Sequence, residues 1–187
     1  MAREEVVLLG PAREPVGTAD KATVHTTDTP LHLAFSCWLL DANGALLITR
    51  RALSKKTWPG VWTNSFCGHP APGEEIPAAV HRRAAEEIGL EPSLLDDLRS
   101  VLPDFSYRAT DSSGVVENEF CPVYVGRLGV TADEARLAPN PAEVDSWEWV
   151  DPSALIAGAQ ATPFAFSPWL VEEIADPRLR AVLTARG

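Results

Sequence analysis

The stretch that decides the fold is residues 68–90, GHPAPGEEIPAAVHRRAAEEIGL. Positions 70–73 hold three residues that break regular structure (Pro70, Pro72, Gly73), and from about Pro77 to Ile88 the pattern becomes helical. Apolar residues recur at Ile76, Val80, Ala84 and Ile88, a proline stands at the helix entrance, and Gly89 follows as a C-terminal stop. Residues four apart share a helix face, so Arg82 can pair with Glu86 and Arg83 with Glu87, leaving carboxylates oriented at one end for a hard cation. A solvated face carrying ordinary ion pairs would show the same helix pattern; the spacing of the preceding loop weighs against that reading.

Outward from this segment the chain alternates strand and turn. Asn64-Ser-Phe-Cys-Gly-His-Pro70 precedes it, with Thr63–His69 reading as extended. Leu31 to Leu40, the turn Asp41–Gly44 and the run Ala45–Thr49 read as a hairpin. Downstream, Val115–Leu128 reads as one long strand that a Thr110–Gly114 turn could pair with Pro103–Ala109, and Glu148–Val150 as another strand. Helices are expected near Pro152–Ala157, Pro168–Ala175 and Pro177–Ala185. The first thirty residues hold Pro11, Pro15 and Pro30, so only a short strand at Val6–Leu9 is expected there. Strands joined mostly by hairpins, with a few helices, predict a mixed α+β or sandwich architecture rather than a doubly wound parallel sheet.

Composition narrows the function classes. With 187 residues, 45% of them hydrophobic, one domain spanning 1–187 is expected. The 26 acidic and 16 basic residues leave a formal charge of −10, which disfavours general attraction to nucleic acid or anionic membrane. Phosphate, if bound, must be held locally. No apolar run approaches a membrane span, and three cysteines (Cys37, Cys67, Cys121) without a C-x-x-C pair fit free thiols in a reducing, cytoplasmic setting. Cys37 and Cys121 lie inside strand-like runs and read as core residues. His81 and Lys56 read as solvated surface.

The set Gly68, Glu74, Arg82, Arg83, Ala84, Glu86, Glu87, Gly89, Leu90 resembles the Nudix box, a loop–helix–loop that presents carboxylates to divalent metals clamping a diphosphate. It departs from the hydrolytic pattern at one place, with Arg82-Arg83 where that pattern has Arg-Glu. An arginine there rejects metal and attracts phosphate, so the site suits holding a diphosphate more than cleaving it. The cysteine loop and Glu117-Asn-Glu119 are similar to motifs of the type I isopentenyl-diphosphate isomerase family. In extended segments Cys67 and His69 share a face, as do Glu117 and Glu119, about 6–7 Å apart along each strand.

The resemblance, over roughly residues 20–175, implies an α/β/α sandwich of Nudix type with a mixed sheet, and residues 1–30 as an extension contributing Lys21 and His25. It implies Cys67 and Glu119 as the acid–base pair that moves a double bond, with Tyr107 bonded to the carboxylate; which of the two protonates first is left open. It assigns His25, His32, His69, Glu117 and Glu119 to Mn2+ or Zn2+, and Glu87 to Mg2+ with the diphosphate. It maps substrate contacts onto Lys21, Arg51, Lys55 and Arg83, and pocket walls onto Trp62 and Phe164, the latter where bacterial members commonly have tryptophan. A small-molecule diphosphate is the implied partner, and a monomer is expected. The alternatives are a Nudix hydrolase of a small diphosphate and a non-catalytic diphosphate-binding domain.

Overall fold

The computed structural model describes residues 4–185, so the ends of the expected 1–187 span lie outside the described residues. Among the described residues, twelve strands form two sheets. The first has the order β2 (Pro15–Asp20), β1 (Glu5–Leu9), β3 (His32–Leu33), β10 (Val116–Phe120), β9 (Ser106–Thr110). The second has the order β12 (Val144–Val150), β5 (Leu46–Arg51), β4 (Phe35–Leu40), β11 (Val123–Leu128), β8 (Leu95–Leu102), with β6 (Trp62–Thr63) on β5 and β7 (Phe66–Gly68) on β4.

Alternation along β4 explains the layering. Phe35, Cys37 and Leu39 point to one face and pack with Val80, Ala84 and Ile88 of helix α1 (Ile76–Ile88). Trp38 and Leu40 point to the other and pack with Leu155, Leu170, Ile174 and Leu179 of α3 (Pro152–Ala161), α4 (Pro168–Ala175) and α5 (Pro177–Leu183). A strand buried on both faces needs helices on both sides, and the result is the expected α/β/α arrangement around a mixed sheet. The remaining helix, α2, is the single turn Ala132–Ala135.

Helix α1 matches its sequence reading. Proline occupies its first turn, and Gly89 closes it at φ 63°, in the left-handed region. A Cβ at Gly89 would lie 2.3 Å from the Ala138 carbonyl oxygen, so glycine is required for both backbone angle and space.

Three expectations need correction. The strand expected over Val115–Leu128 is two strands, because Pro122 has no N–H to donate and the chain changes sheets there. The first arm of the expected hairpin divides in the same way: β3 runs parallel to β10 in one sheet, β4 parallel to β11 in the other, and β4 and β5 share only Leu40↔Leu46 in register. The first thirty residues hold β2 as well as β1; Pro15 opens an edge strand, where a missing donor costs little. Strand β8 was not anticipated, because two register shifts against β11 disturb its alternation and Asp97 and Arg99 are tolerated on an edge.

Candidate active site

The site lies where the two sheets exchange strands. At that seam His32 and Glu119 are register partners between β3 and β10, Glu119 faces Tyr107 across to β9, and Cys67 on β7 faces Ser36 on β4. Residues separated by up to about ninety positions are thus brought to one place by strand pairing alone. Cys67, Glu119 and Tyr107 open on a cavity of about 180 Å³. Cys67, Glu119, Tyr107, His25, His69, Glu117, Glu87, Lys21, Arg51, Lys55 and Arg83 all line it.

At its base His25, His32, His69 and Glu119 offer ligand atoms all within 4.8 Å of one another. His69 Nε2 lies 2.9 Å from Glu119 Oε1 and His32 Nε2 3.4 Å from the same oxygen. His25 Nε2 lies 2.9 Å from Glu117 Oε2, whose other oxygen accepts from Thr57 Oγ1 at 2.6 Å. The Nε2 atoms of His25 and His32 come this close to carboxylates without hydrogen-bond direction, and remain buried and unpartnered. Unpartnered imidazole nitrogens converging with carboxylates are the donor set of a transition-metal site, and these residues fit one. His32 Nδ1 contacts the Pro30 carbonyl at 2.9 Å, which orients the ring.

Tyr107 donates to Glu119 Oε2 at 2.9 Å. Burial would raise the Glu119 carboxyl, but the adjoining His32 and His69 outweigh it and hold it well below the usual range. Burial pushes the Cys67 thiol well up, and the negative charges of Glu173 and Glu87 add to this, so its resting form is the thiol. Burial does the same for the Tyr107 hydroxyl, with Glu119 next, so Tyr107 stays a hydrogen-bond donor.

Cations line the same cavity. Arg83 is buried and meets Glu87 at 2.8 Å and Glu143 at 3.5 Å, while Lys55 also pairs with Glu143. Lys21 pairs with Glu4 at 2.6 Å. Arg51 donates to the Thr57 carbonyl at 2.9 and 3.1 Å and stacks 5.2 Å over the Trp169 ring. The pairs expected on the helix are present, Arg82 with Glu86 at 3.2 Å and Arg83 with Glu87. Arg83 packs closely against Gly68: a Cβ there would fall 2.6 Å from Arg83 Cγ.

Two expected walls lie elsewhere. Phe164 is 85% exposed, and Trp62 packs with the apolar side chains between β4 and the C-terminal helices; neither lines the cavity. The aromatic wall comes from Trp169 and Tyr107, with Trp58 edge-on to Trp169 at 5.6 Å. Lys56, read from sequence as surface charge, lines the cavity and donates to the His25 carbonyl at 2.5 Å. Glu143 and Asn64 also went unnoticed. Asn64 opens the very motif that carries Cys67, but only the structure shows its amide against the thiol, with Oδ1 at 3.2 Å and Nδ2 at 3.1 Å. Cys37 and Cys121 are buried core residues, as read.

Known proteins similar to this chain point to one family. The NUDIX domain family matches residues 30–170. Proteins named isopentenyl-diphosphate Delta-isomerase are similar throughout: that of Leifsonia xyli is 58% identical over 92% of this chain and 90% of its own. Those of Corynebacterium diphtheriae and Corynebacterium glutamicum are 56% and 54% identical, each over 97% of this chain and 97% and 95% of their own. Among solved structures, a protein of Deinococcus radiodurans superposes with a TM-score of 0.69 at 24% identity, over 92% of this chain and 98% of its own, a likeness of fold. A seam that gathers a thiol, a histidine-flanked carboxylate and a cluster of cations, together with identity above one half along nearly the whole length, places this chain in the isopentenyl-diphosphate Delta-isomerase family of NUDIX-domain proteins.

Proposed function

We propose that this chain interconverts isopentenyl diphosphate and dimethylallyl diphosphate, using Cys67 and Glu119 as the proton-transfer pair. The observation that carries the reading is that Cys67 and the Tyr107-bonded Glu119 open on one cavity that Lys21, Arg51, Lys55 and Arg83 also line. The reaction needs a proton added to the terminal methylene carbon, a tertiary cation at the branched carbon, and a different proton removed from the carbon on the other side. No atoms are gained or lost, and one group must give while its opposite takes. Cys67, resting as a thiol, has a proton to give, and Glu119, held low, can receive one. The reverse direction exchanges the roles.

The Trp169 and Tyr107 rings beside Cys67 exclude water and offer π faces to the developing cation. Lys21, Arg51, Lys55 and Arg83 bind the diphosphate tail, with Arg83 standing where cleavage would call for a metal-binding glutamate. His25, His32, His69, Glu117 and Glu119 would hold Mn2+ or Zn2+, and Glu87 would bring Mg2+ to the diphosphate; bound there, the first ion polarises the Glu119 carboxyl and the second neutralises phosphate charge.

Incubation of the protein with isopentenyl diphosphate in deuterated buffer, with and without chelator, tests this. Deuterium in both isomers and formation of dimethylallyl diphosphate, abolished by chelator and without release of phosphate, is the expected result. Binding without exchange, or phosphate release instead, refutes it.

A further inference from the structure

Between Arg51 and Glu117 stands a residue that the reaction above does not use. Thr57, in the loop joining β5 to β6, is buried and lines the cavity. Its carbonyl accepts from Arg51 Nε at 3.1 Å and from Arg51 Nη2 at 2.9 Å, and its hydroxyl oxygen lies 3.2 Å from the same Nη2. On the other side that hydroxyl lies 2.6 Å from Glu117 Oε1.

What the two neighbours can do fixes the direction of the hydroxyl. A guanidinium only donates, and a carboxylate that is to hold a metal only accepts. Arg51 therefore takes a lone pair of Oγ1, and the single hydroxyl hydrogen goes to Glu117 Oε1. Among the described residues this is the one directed hydrogen bond on the Glu117 carboxylate. The remaining oxygen, Oε2, meets His25 Nε2 at 2.9 Å without hydrogen-bond direction. Register with Ala109 of β9 fixes the Glu117 backbone, but the carboxyl lies three side-chain torsions beyond it. The same loop also reaches the partner of Oε2: Lys56 donates to the His25 carbonyl at 2.5 Å, so adjacent residues hold both members of the His25–Glu117 pair.

We propose that Thr57 is a positioning residue for the metal site: its hydroxyl engages Oε1 of Glu117 and leaves Oε2, beside His25, as the oxygen offered to the ion. This rests on the reading of Glu117 as a ligand of Mn2+ or Zn2+. Without the hydroxyl the carboxyl keeps its charge and its strand but turns freely about its torsions. Ordering it then falls to the ion, which binds more weakly.

The test measures Zn2+ affinity of the protein, with no diphosphate present, by competition with a chromogenic chelator in wild type, T57V, T57S, E117Q and T57V/E117Q. Valine matches threonine in shape and lacks the hydroxyl; serine keeps it. T57V is expected to bind Zn2+ at least about tenfold more weakly, the usual scale for losing a group that orients a ligand, with T57S within about threefold of wild type. The double variant should bind no more weakly than E117Q, because the hydroxyl acts through that carboxyl alone. A merely structural role would lower the melting temperature of the metal-free protein and leave Zn2+ affinity where it was. Should T57V not fold, T57A takes its place. The proposal is overturned by a folded T57V or T57A that binds Zn2+ as tightly as wild type or more so, by a T57S as weak as T57V, or by a double variant in which the two losses add. If wild type bound no Zn2+, or E117Q bound it as tightly as wild type, the reading of Glu117 as a ligand would fail, and the role of Thr57 with it.

Discussion

The thiol of Cys67 and the carboxylate of Glu119 differ in what surrounds them, and that difference suits them to the proposed proton transfer. Burial favours the neutral thiol on one side, while two histidines favour the anion on the other. Cys67→Ala and Glu119→Gln are each expected to lower turnover at least about a hundredfold, the usual scale of general acid–base loss, with circular dichroism unchanged. Near-normal turnover in either variant removes that residue from the proposed role. Both residues were legible in the sequence because each sits in a short motif. Asn64, Glu143 and Glu173 were not: an amide or a buried carboxylate declares itself only by what it faces. Phe164 shows the converse, a motif position whose side chain the fold leaves outside the cavity.

At the scale of elements, α1 and α4 carry the consequences. Gly89 ends α1 at a positive φ against the Ala138 backbone. Gly89→Ala is expected to destabilise the protein by at least about 1–2 kcal/mol, from backbone strain alone, seen as a lower urea midpoint with unchanged slope. On α4, burial drives the Glu173 carboxyl up to about 8, with Glu119 and Glu172 adding to it against the hydrogen bonds of Ser36 and Trp38. An acid whose folded pKa is raised holds its proton in the native state after the unfolded chain has released it. Stability therefore falls as pH rises from about 4.5 toward about 8, the loss being complete above the folded value. The slope from one such group is at most about 1.4 kcal/mol per pH unit. Glu173→Gln should remove it, so that melting curves between pH 5 and pH 9 show wild type losing ground to the variant; parallel curves would refute the assignment. The sequence marked α1 and α4 by their prolines, and Gly89 by its place after the last apolar residue. It hid the breaks at Ala34 and Pro122, since a strand that changes sheets keeps the same residue preferences on both sides of the break.

Across the whole molecule the residues that could hold a metal ion come from separate parts. His25 follows β2, His32 is on β3, His69 follows β7 and Glu119 is on β10. An ion bound by all four stabilises only the folded chain, by about 2.7 kcal/mol at a hundredfold excess over Kd. Mn2+ or Zn2+ is expected to raise Tm and chelator to reverse it, with His69→Ala abolishing the shift; a Tm indifferent to metal would argue against the site. Among the described residues no helix is long and apolar enough to cross a membrane.

By itself the sequence determined the elements whose signals are local. The loop and helix of residues 68–90, the caps and prolines of the C-terminal helices and the motifs around Cys67 and Glu119 act through neighbours a few positions away. Only the tertiary structure decided which strands cross between sheets, which aromatic rings line the cavity, and that a carboxylate on α4 accepts hydrogen bonds from Ser36 and Trp38. Those are contacts between residues as many as 137 positions apart, such as Ser36 and Glu173. Pairing and packing over that separation depend on the arrangement of the whole chain, which no local run of residues encodes.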